Sequence, residues 1–303
     1  MGHVGIRRLL LPVALAASCT ALGCIGARQR PDPLDRIRVG VDPVAESLEV
    51  VRALERGGWV LESRVAGRTF VALVLVRSEG PETEGPETAV RIVTRRGTAL
   101  AVDSAEAALR LVEPPVAPPH DLDGDGLEEI LLGRQDATQG RLCLRTLTVG
   151  REGALSVAEE VLPSLGDDAC VEEVRDVLPE SGPEALSVHR FHRLSRGLAP
   201  AIAVPLVFER GGWTPVGRAR AAPFHRAGAA ARREGLAVAR QALDVERAYV
   251  LAVELAALAR SLGAGRREQV LIFDDAVRGL VLSESLARSV ANARSHVAAG
   301  WPD

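Results

Sequence analysis

The chain has 303 residues, enough for one large domain or two of ordinary size, and 47% of them are hydrophobic. A substantial apolar core can therefore form. The formal net charge of −3 supplies no basic footprint, which excludes nucleic acid as an expected partner.

The N-terminus has the layout of a secretory signal peptide. Two positive charges, Arg7 and Arg8, precede an uncharged run from Leu9 to Gly23. A membrane-spanning helix needs roughly 20 apolar residues, and this run is shorter. Residues 1–23 are therefore predicted to be a cleaved signal peptide that directs export.

The end of this segment resembles the lipobox of bacterial lipoproteins, in which small residues precede a cysteine that is lipidated and becomes the new N-terminus. Here Ala21, Leu22 and Gly23 precede Cys24, which is the predicted lipidation site. Cleavage before Cys19 is an alternative, but it would leave three further cysteines instead of an even pair. Without lipidation the protein would be periplasmic or secreted.

Export affects the two remaining cysteines. In an oxidising compartment, Cys143 and Cys170 are predicted to form a disulfide. Residues 24–36 lack apolar periodicity and contain Pro31 and Pro33, a composition that suits a tether between the lipid and the folded body.

Residues 37–221 are predicted to form an antiparallel β domain. Short alternating runs bounded by glycine, proline or charged residues indicate strands, as at Thr69–Val76, Ala89–Thr94, Leu142–Val149 and Ala201–Phe208. The sequence Glu-Arg-Gly-Gly-Trp occurs at 55–59 and again at 209–213, and both copies are interpreted as hairpin turns. Apolar runs after Gly67, Gly126 and Gly182 indicate about three degenerate repeats.

Residues 222–303 are predicted to form a helical domain. Apolar residues at helical spacing predict one helix over Ala231–Leu262 and further helical structure over Arg266–Val297, giving two or three packed helices. The expected fold class is therefore α+β, with the β domain first.

The most informative motif lies at 120–129, where Asp121, Asp123 and Asp125 alternate with other residues and Glu129 follows. Calcium binds six to eight hard oxygen ligands, which these carboxylates and the backbone carbonyl of Leu127 could supply. An EF-hand is excluded, because Leu132 occupies the position where it needs a glutamate. Three alternating aspartates without a cation would repel one another, so one calcium ion is predicted.

The motif resembles the calcium loops of FG-GAP and VCBS repeats, which are blades of integrin-type β-propellers. Asp121, Asp123, Asp125 and Gly126 match that pattern, whereas Glu129 stands where the family usually has aspartate. The resemblance implies propeller-like blades, possibly in an incomplete ring, and a structural calcium ion. The corresponding residues 179–184 lack the carboxylate spacing, so only one loop is predicted to bind metal.

No recognised catalytic motif is present, and no catalytic residue is predicted. The expected function is a noncatalytic role in the cell envelope, on the periplasmic or outer face. A lipid would anchor the protein in the membrane, and it would bind a protein or glycan or serve as a structural part. The alternative is an exported hydrolytic enzyme with an unrecognised active site.

Overall fold

A computed structural model describes residues 41–77, 87–104, 108–114, 120–136, 141–160, 169–178, 183–191, 194 and 198–301. The predicted signal peptide, Cys24 and the tether lie outside these residues. The described part has an α+β layout in which antiparallel sheets precede a group of helices.

The sheets consist of three four-stranded antiparallel meanders, which we call the first, second and third units. The first unit contains β1 (Val60–Ala66), β2 (Phe70–Arg77), β3 (Glu87–Thr94) and β4 (Gly97–Ser104). The second contains β5 (Leu109–Val112), β6 (Glu128–Asp136), β7 (Arg141–Val149) and β8 (Leu155–Val157). The third contains β10 (Val171–Arg175), β11 (Glu184–Arg190), β12 (Ala201–Glu209) and β13 (Gly212–Pro215).

The second and third units join into one nine-stranded sheet. Leu144 of β7 pairs with Val171 of β10, and the short strand β9 (Glu159–Glu160) pairs with β13. The β9–β13 pair is parallel, so the sheet is not antiparallel throughout. The described strands do not form a closed propeller.

The second unit is covered on both faces, one by the first unit and the other by the third. Successive side chains of a strand point to opposite faces, so neighbouring residues of β6 contact different units. Ile130 of β6 packs with Phe70 and Val90 of the first unit. The next residue, Leu131, packs with Leu206 and other apolar side chains of the third unit. The three units are thus held together by apolar clusters on the two faces of the second.

A helix, α1 (Pro43–Glu55), lies within the segment that was predicted to be β. The Asp42 side chain accepts a hydrogen bond from the Val44 N–H (3.0 Å), and Pro43 occupies the first turn, where its missing N–H costs nothing. Val50 packs against Leu73 and Val93, so α1 covers the outer face of the first unit.

This helix also corrects the interpretation of the Glu-Arg-Gly-Gly-Trp repeat. At 55–59 the sequence ends α1, and Gly58 adopts the left-handed conformation (φ 84°) before β1 begins. At 209–213 it forms the β12–β13 hairpin turn through Arg210 (φ 55°) and Gly211 (φ 76°). The two copies are therefore not structurally equivalent.

The described C-terminal residues form four helices rather than the predicted two or three: α2 (Arg218–Gln241), α3 (Val245–Ser261), α4 (Arg266–Val277) and α5 (Glu284–Ala299). The predicted helix over 231–262 is interrupted at Leu243 (φ 56°), which is largely exposed, and Asp244 caps the following helix by accepting the Arg247 N–H. Within the part of the chain that the structure describes, no helix is both long enough and apolar enough to cross a membrane.

The helices pack on the third unit. Ile202 of β12 and Phe191 belong to the same apolar cluster as Tyr249 and Val253 of α3. The buried Glu254 of α3 accepts hydrogen bonds from the Ala201 N–H (3.0 Å) and from Arg232 of α2 (3.0 Å), so its charge is compensated.

Candidate metal centre

The acidic loop, residues 120–127, directly precedes β6 in the second unit. The Glu129 N–H donates to the His120 carbonyl (2.7 Å) and closes the base of the loop. The chain that carries the aspartates of the motif therefore forms a loop whose two ends are hydrogen-bonded to each other.

Asp121 organises the loop from inside. Its Oδ1 accepts the Gly124 N–H (2.7 Å), and its Oδ2 accepts the Gly126 N–H (2.9 Å). Both glycines have positive φ (77° and 83°), and a Cβ at either position would meet no heavy atom within 4 Å. Glycine is thus favoured here by backbone conformation and not by lack of space.

Asp123 and Asp125 accept backbone hydrogen bonds further along the loop. Asp123 Oδ1 accepts the Asp125 N–H (3.2 Å), and Asp125 Oδ1 accepts the Leu127 N–H (2.7 Å). Burial and the negative charges of Asp125 and Asp121 raise the pKa of Asp123, against the opposing effect of N–H groups of Asp125 and Gly211. Gly211 belongs to the β12–β13 turn, so the acidic loop reaches the third unit.

Glu129 is the most buried carboxylate of the motif, with 1% of its surface exposed. Its Oε2 accepts the Leu122 N–H (2.7 Å), but Oε1 is buried without a hydrogen-bond partner among the described residues. Burial raises the pKa of Glu129 to about 8, and repulsion from the three aspartates adds to this effect. A buried, partnerless carboxylate oxygen is costly unless a positive charge compensates it.

Three of these carboxylates form a compact cluster. The ligand oxygens of Asp121, Asp123 and Glu129 lie within 4.8 Å of one another, close enough for one metal ion to contact all three. The cluster does not include Asp125, whose Oδ1 accepts the Leu127 N–H. Of the four predicted carboxylate ligands, the structure therefore brings together three, and the predicted Leu127 carbonyl ligand stays a prediction.

The neighbouring Glu128 has a different environment. Its carboxylate accepts hydrogen bonds from the Arg68 N–H (2.7 Å), from the Thr69 N–H (2.8 Å) and from the Thr69 hydroxyl. These donors belong to the β1–β2 turn of the first unit. Glu128 thus ties the second unit to the first with its hydrogen bonds satisfied, whereas Glu129 faces the acidic loop.

The third unit contains a counterpart of Glu129. Glu184, which is fully buried, accepts the Val177 N–H (3.0 Å) from seven residues earlier, the separation also found between Glu129 and Leu122. Its Oε1 lies 3.5 Å from Arg220 Nη2 of α2. A protein side chain therefore supplies the positive charge here.

Cys143 and Cys170 form the predicted disulfide. Cys143 lies in β7, and Cys170 directly precedes β10, so the bond lies beside the Leu144–Val171 pair. It connects the second unit covalently to the third.

Comparisons with known proteins add no assignment. No family model matches the sequence, no curated protein matches it, and no solved structure matches the fold. The resemblance to FG-GAP and VCBS calcium loops therefore rests on Asp121, Asp123, Asp125 and Gly126 themselves. What the site does is inferred from its geometry.

Two features of the site were not predicted from the sequence. The Gly211 N–H lies near the Asp123 carboxylate from 88 positions along the chain, and Leu122 donates to Glu129. The only sequence signal for the first was the position of Gly211 in a predicted hairpin turn. Leu122 stood between two aspartates and offered no polar side chain to single it out.

Proposed function

We propose that this chain is an exported, noncatalytic envelope protein whose β region binds one structural calcium ion at Asp121, Asp123 and Glu129. Lipidation at Cys24 would anchor it in the membrane, and the β units would serve to bind a protein or glycan partner or to support an assembly. The three units are interpreted as consecutive propeller-like blades of an open array.

One observation carries the calcium proposal. Glu129 Oε1 is buried and has no hydrogen-bond partner among the described residues, and one carboxylate oxygen of Glu129 lies within 4.8 Å of those of Asp121 and Asp123. At the corresponding position, Glu184 has Arg220 beside it. A cation would give Glu129 the compensation that Arg220 gives Glu184.

The donor set favours calcium over other common ions. Carboxylate oxygens are hard ligands, whereas structural zinc sites use mainly cysteine and histidine. Magnesium requires near-ideal octahedral geometry, while calcium accepts a flexible cage completed by backbone oxygens and water. Gly124 and Gly126 provide a loop backbone that can adapt to such a cage.

The proposal predicts that calcium raises the thermal midpoint of the purified protein. Extracellular calcium modules have dissociation constants of about 10⁻⁴–10⁻³ M, so 10 mM calcium should stabilise the fold by about 1.4–2.7 kcal/mol relative to excess chelator. For a protein of this size, we expect an increase of about 2–5 °C, measured by differential scanning calorimetry.

Two matched variants test which carboxylates are responsible. Asp123→Asn should abolish most of the calcium-dependent shift, because Asp123 belongs to the cluster and the amide keeps an acceptor for the Asp125 N–H. Asp125→Asn should retain at least half of the shift, because Asp125 lies outside the cluster. Equal midpoints of the wild-type protein in calcium and in chelator would contradict the proposal.

A further inference from the structure

The acidic loop lies against the third unit as well as forming part of the second. The Gly211 N–H faces the Asp123 carboxylate from the β12–β13 turn. Arg210 and Gly211 both have positive φ, as the two central residues of a tight hairpin turn do. The same carboxylate thus belongs to the metal cluster and lies beside this turn.

A second contact connects the loop to the core of the third unit. Leu122, which is almost fully buried, belongs to the same apolar cluster as Phe208 and Trp213. Its N–H is held by Glu129 Oε2, so the metal cluster fixes its backbone. Trp213 is fully buried and donates its indole N–H to Thr146 Oγ1 of the second unit (2.8 Å).

Electrostatic repulsion acts against both contacts. Asp121 and Asp123 place two negatively charged carboxylates at this junction, and repulsion between them favours movement of the loop away from the β12–β13 turn. A bound cation removes the repulsion and draws Asp123 and Glu129 together. The backbone of Leu122 and the turn at Gly211 are then held in place from one point.

The junction between the first and second units is built differently. There Glu128 accepts three hydrogen bonds from the β1–β2 turn, and the Thr94 hydroxyl donates to the Gly153 carbonyl (2.9 Å). These contacts require no cation. The two junctions of the second unit should therefore respond differently when calcium is removed.

We propose that the cation bound by the acidic loop closes the junction between the second and third units, so that its release frees the β12–β13 hairpin and exposes Trp213. This inference rests on the proposed calcium site and adds a conformational role to it. Calcium then controls how firmly the third unit, together with the helices packed on it, is attached to the second.

Hydrogen exchange of the purified full chain, followed by mass spectrometry, tests this inference. Opening of the hairpin requires release of the ion, so free calcium at 100 times its dissociation constant should slow exchange of the 209–216 amides by up to about 100-fold. Peptides from β2 and β3, which lie on the far side of the second unit, should exchange at the same rate with calcium and with chelator. Calorimetric titration of the same sample with calcium chloride measures binding independently.

The possible results separate the two proposals. Calcium binding with selective protection of residues 209–216 supports both the site and its role at the junction. Calcium binding with no protection there, or with equal protection of β2 and β3, overturns the conformational role and leaves the site intact. Absence of binding in the titration overturns both.

Discussion

The acidic loop of the second unit and the corresponding loop of the third unit each contain a buried glutamate, but the two glutamates differ in how their negative charge is compensated. In each, a buried glutamate, Glu129 or Glu184, accepts the N–H of the residue seven positions earlier. This bond fixes the chain where it enters the second strand of the unit. It also places a carboxylate in an apolar environment, which requires a compensating charge.

The difference lies in the surroundings of that carboxylate. In the second unit Asp123 adds negative charge, whereas the third unit has Leu178 at the equivalent position, packed against Val216 and Ala221. Arg220 then compensates Glu184 from within the protein. The loop of the third unit is therefore compensated by an arginine side chain of the protein, whereas the acidic loop of the second unit is expected to need a bound cation. Only the second unit should therefore be stabilised by added calcium.

The largest effect is expected from breaking the covalent bond between the units that carry the two loops. The double variant Cys143→Ala with Cys170→Ala removes a cross-link that closes a loop of 27 residues. In the chain-entropy treatment this lowers the free energy of unfolding by about 3–4 kcal/mol, measurable by urea denaturation. The calcium-dependent part of stability should persist, since neither cysteine belongs to the cluster of Asp121, Asp123 and Glu129. A loss below about 1 kcal/mol would contradict this expectation.

A smaller effect is expected at the third-unit loop. Arg220→Met keeps most of the side-chain length but leaves Glu184 without this positive charge. Because Arg220 is partly exposed, we expect a loss of about 1–2 kcal/mol in the free energy of unfolding rather than the full cost of a buried pair.

This loss should be the same in calcium and in chelator, unlike any change at the acidic loop. Arg226→Met, at an exposed position of the same helix, is the matched control and should change stability by less than about 0.5 kcal/mol. A calcium-dependent effect of Arg220→Met would contradict the distinction between the two loops.

The strands could be predicted from the sequence because short apolar runs bounded by glycine, proline or charged residues, such as Thr69–Val76 and Ala201–Phe208, coincide with β2 and β12. Helix α1 was missed although Asp42 and Pro43 form a recognisable N-terminal signal, because its neighbourhood had been assigned to strands. The sequence Glu-Arg-Gly-Gly-Trp predicted a hairpin turn both at 55–59 and at 209–213, but the φ angles and the flanking elements differ between the two copies. Local sequence does not determine whether such a turn ends a helix or joins two strands.

The candidate site was predicted in part for a similar reason. Regular spacing identified Asp121, Asp123 and Glu129, but the same spacing also included Asp125, which lies outside the cluster and accepts the Leu127 N–H. The correspondence of Glu129 with Glu184 was hidden because the repeats had been aligned on Gly126 and Gly182, which shifts the register by one residue. Arg220 is contributed by a helix that no pattern in the loop could indicate.

A further expected effect is a pH dependence that tests how Glu129 is compensated when no ion is bound. Burial raises the pKa of Glu129 from its usual 4.5 to about 8, so the metal-free folded protein retains a proton that the unfolded chain has lost. The resulting stabilisation is complete below pH 4.5 and is lost as pH rises through 8. In chelator, the thermal midpoint should therefore fall across this interval.

Saturating calcium should flatten this decline, because the ion binds the deprotonated carboxylate and replaces the proton as its compensating charge. Glu129→Gln supplies the control: the amide carries no charge at any pH, so the part of the decline due to Glu129 should disappear in chelator. The comparison requires midpoints at several pH values for both proteins. If Glu129→Gln retains the wild-type slope, the raised pKa of Glu129 is not its cause, and the buried carboxylate is compensated by something other than a proton.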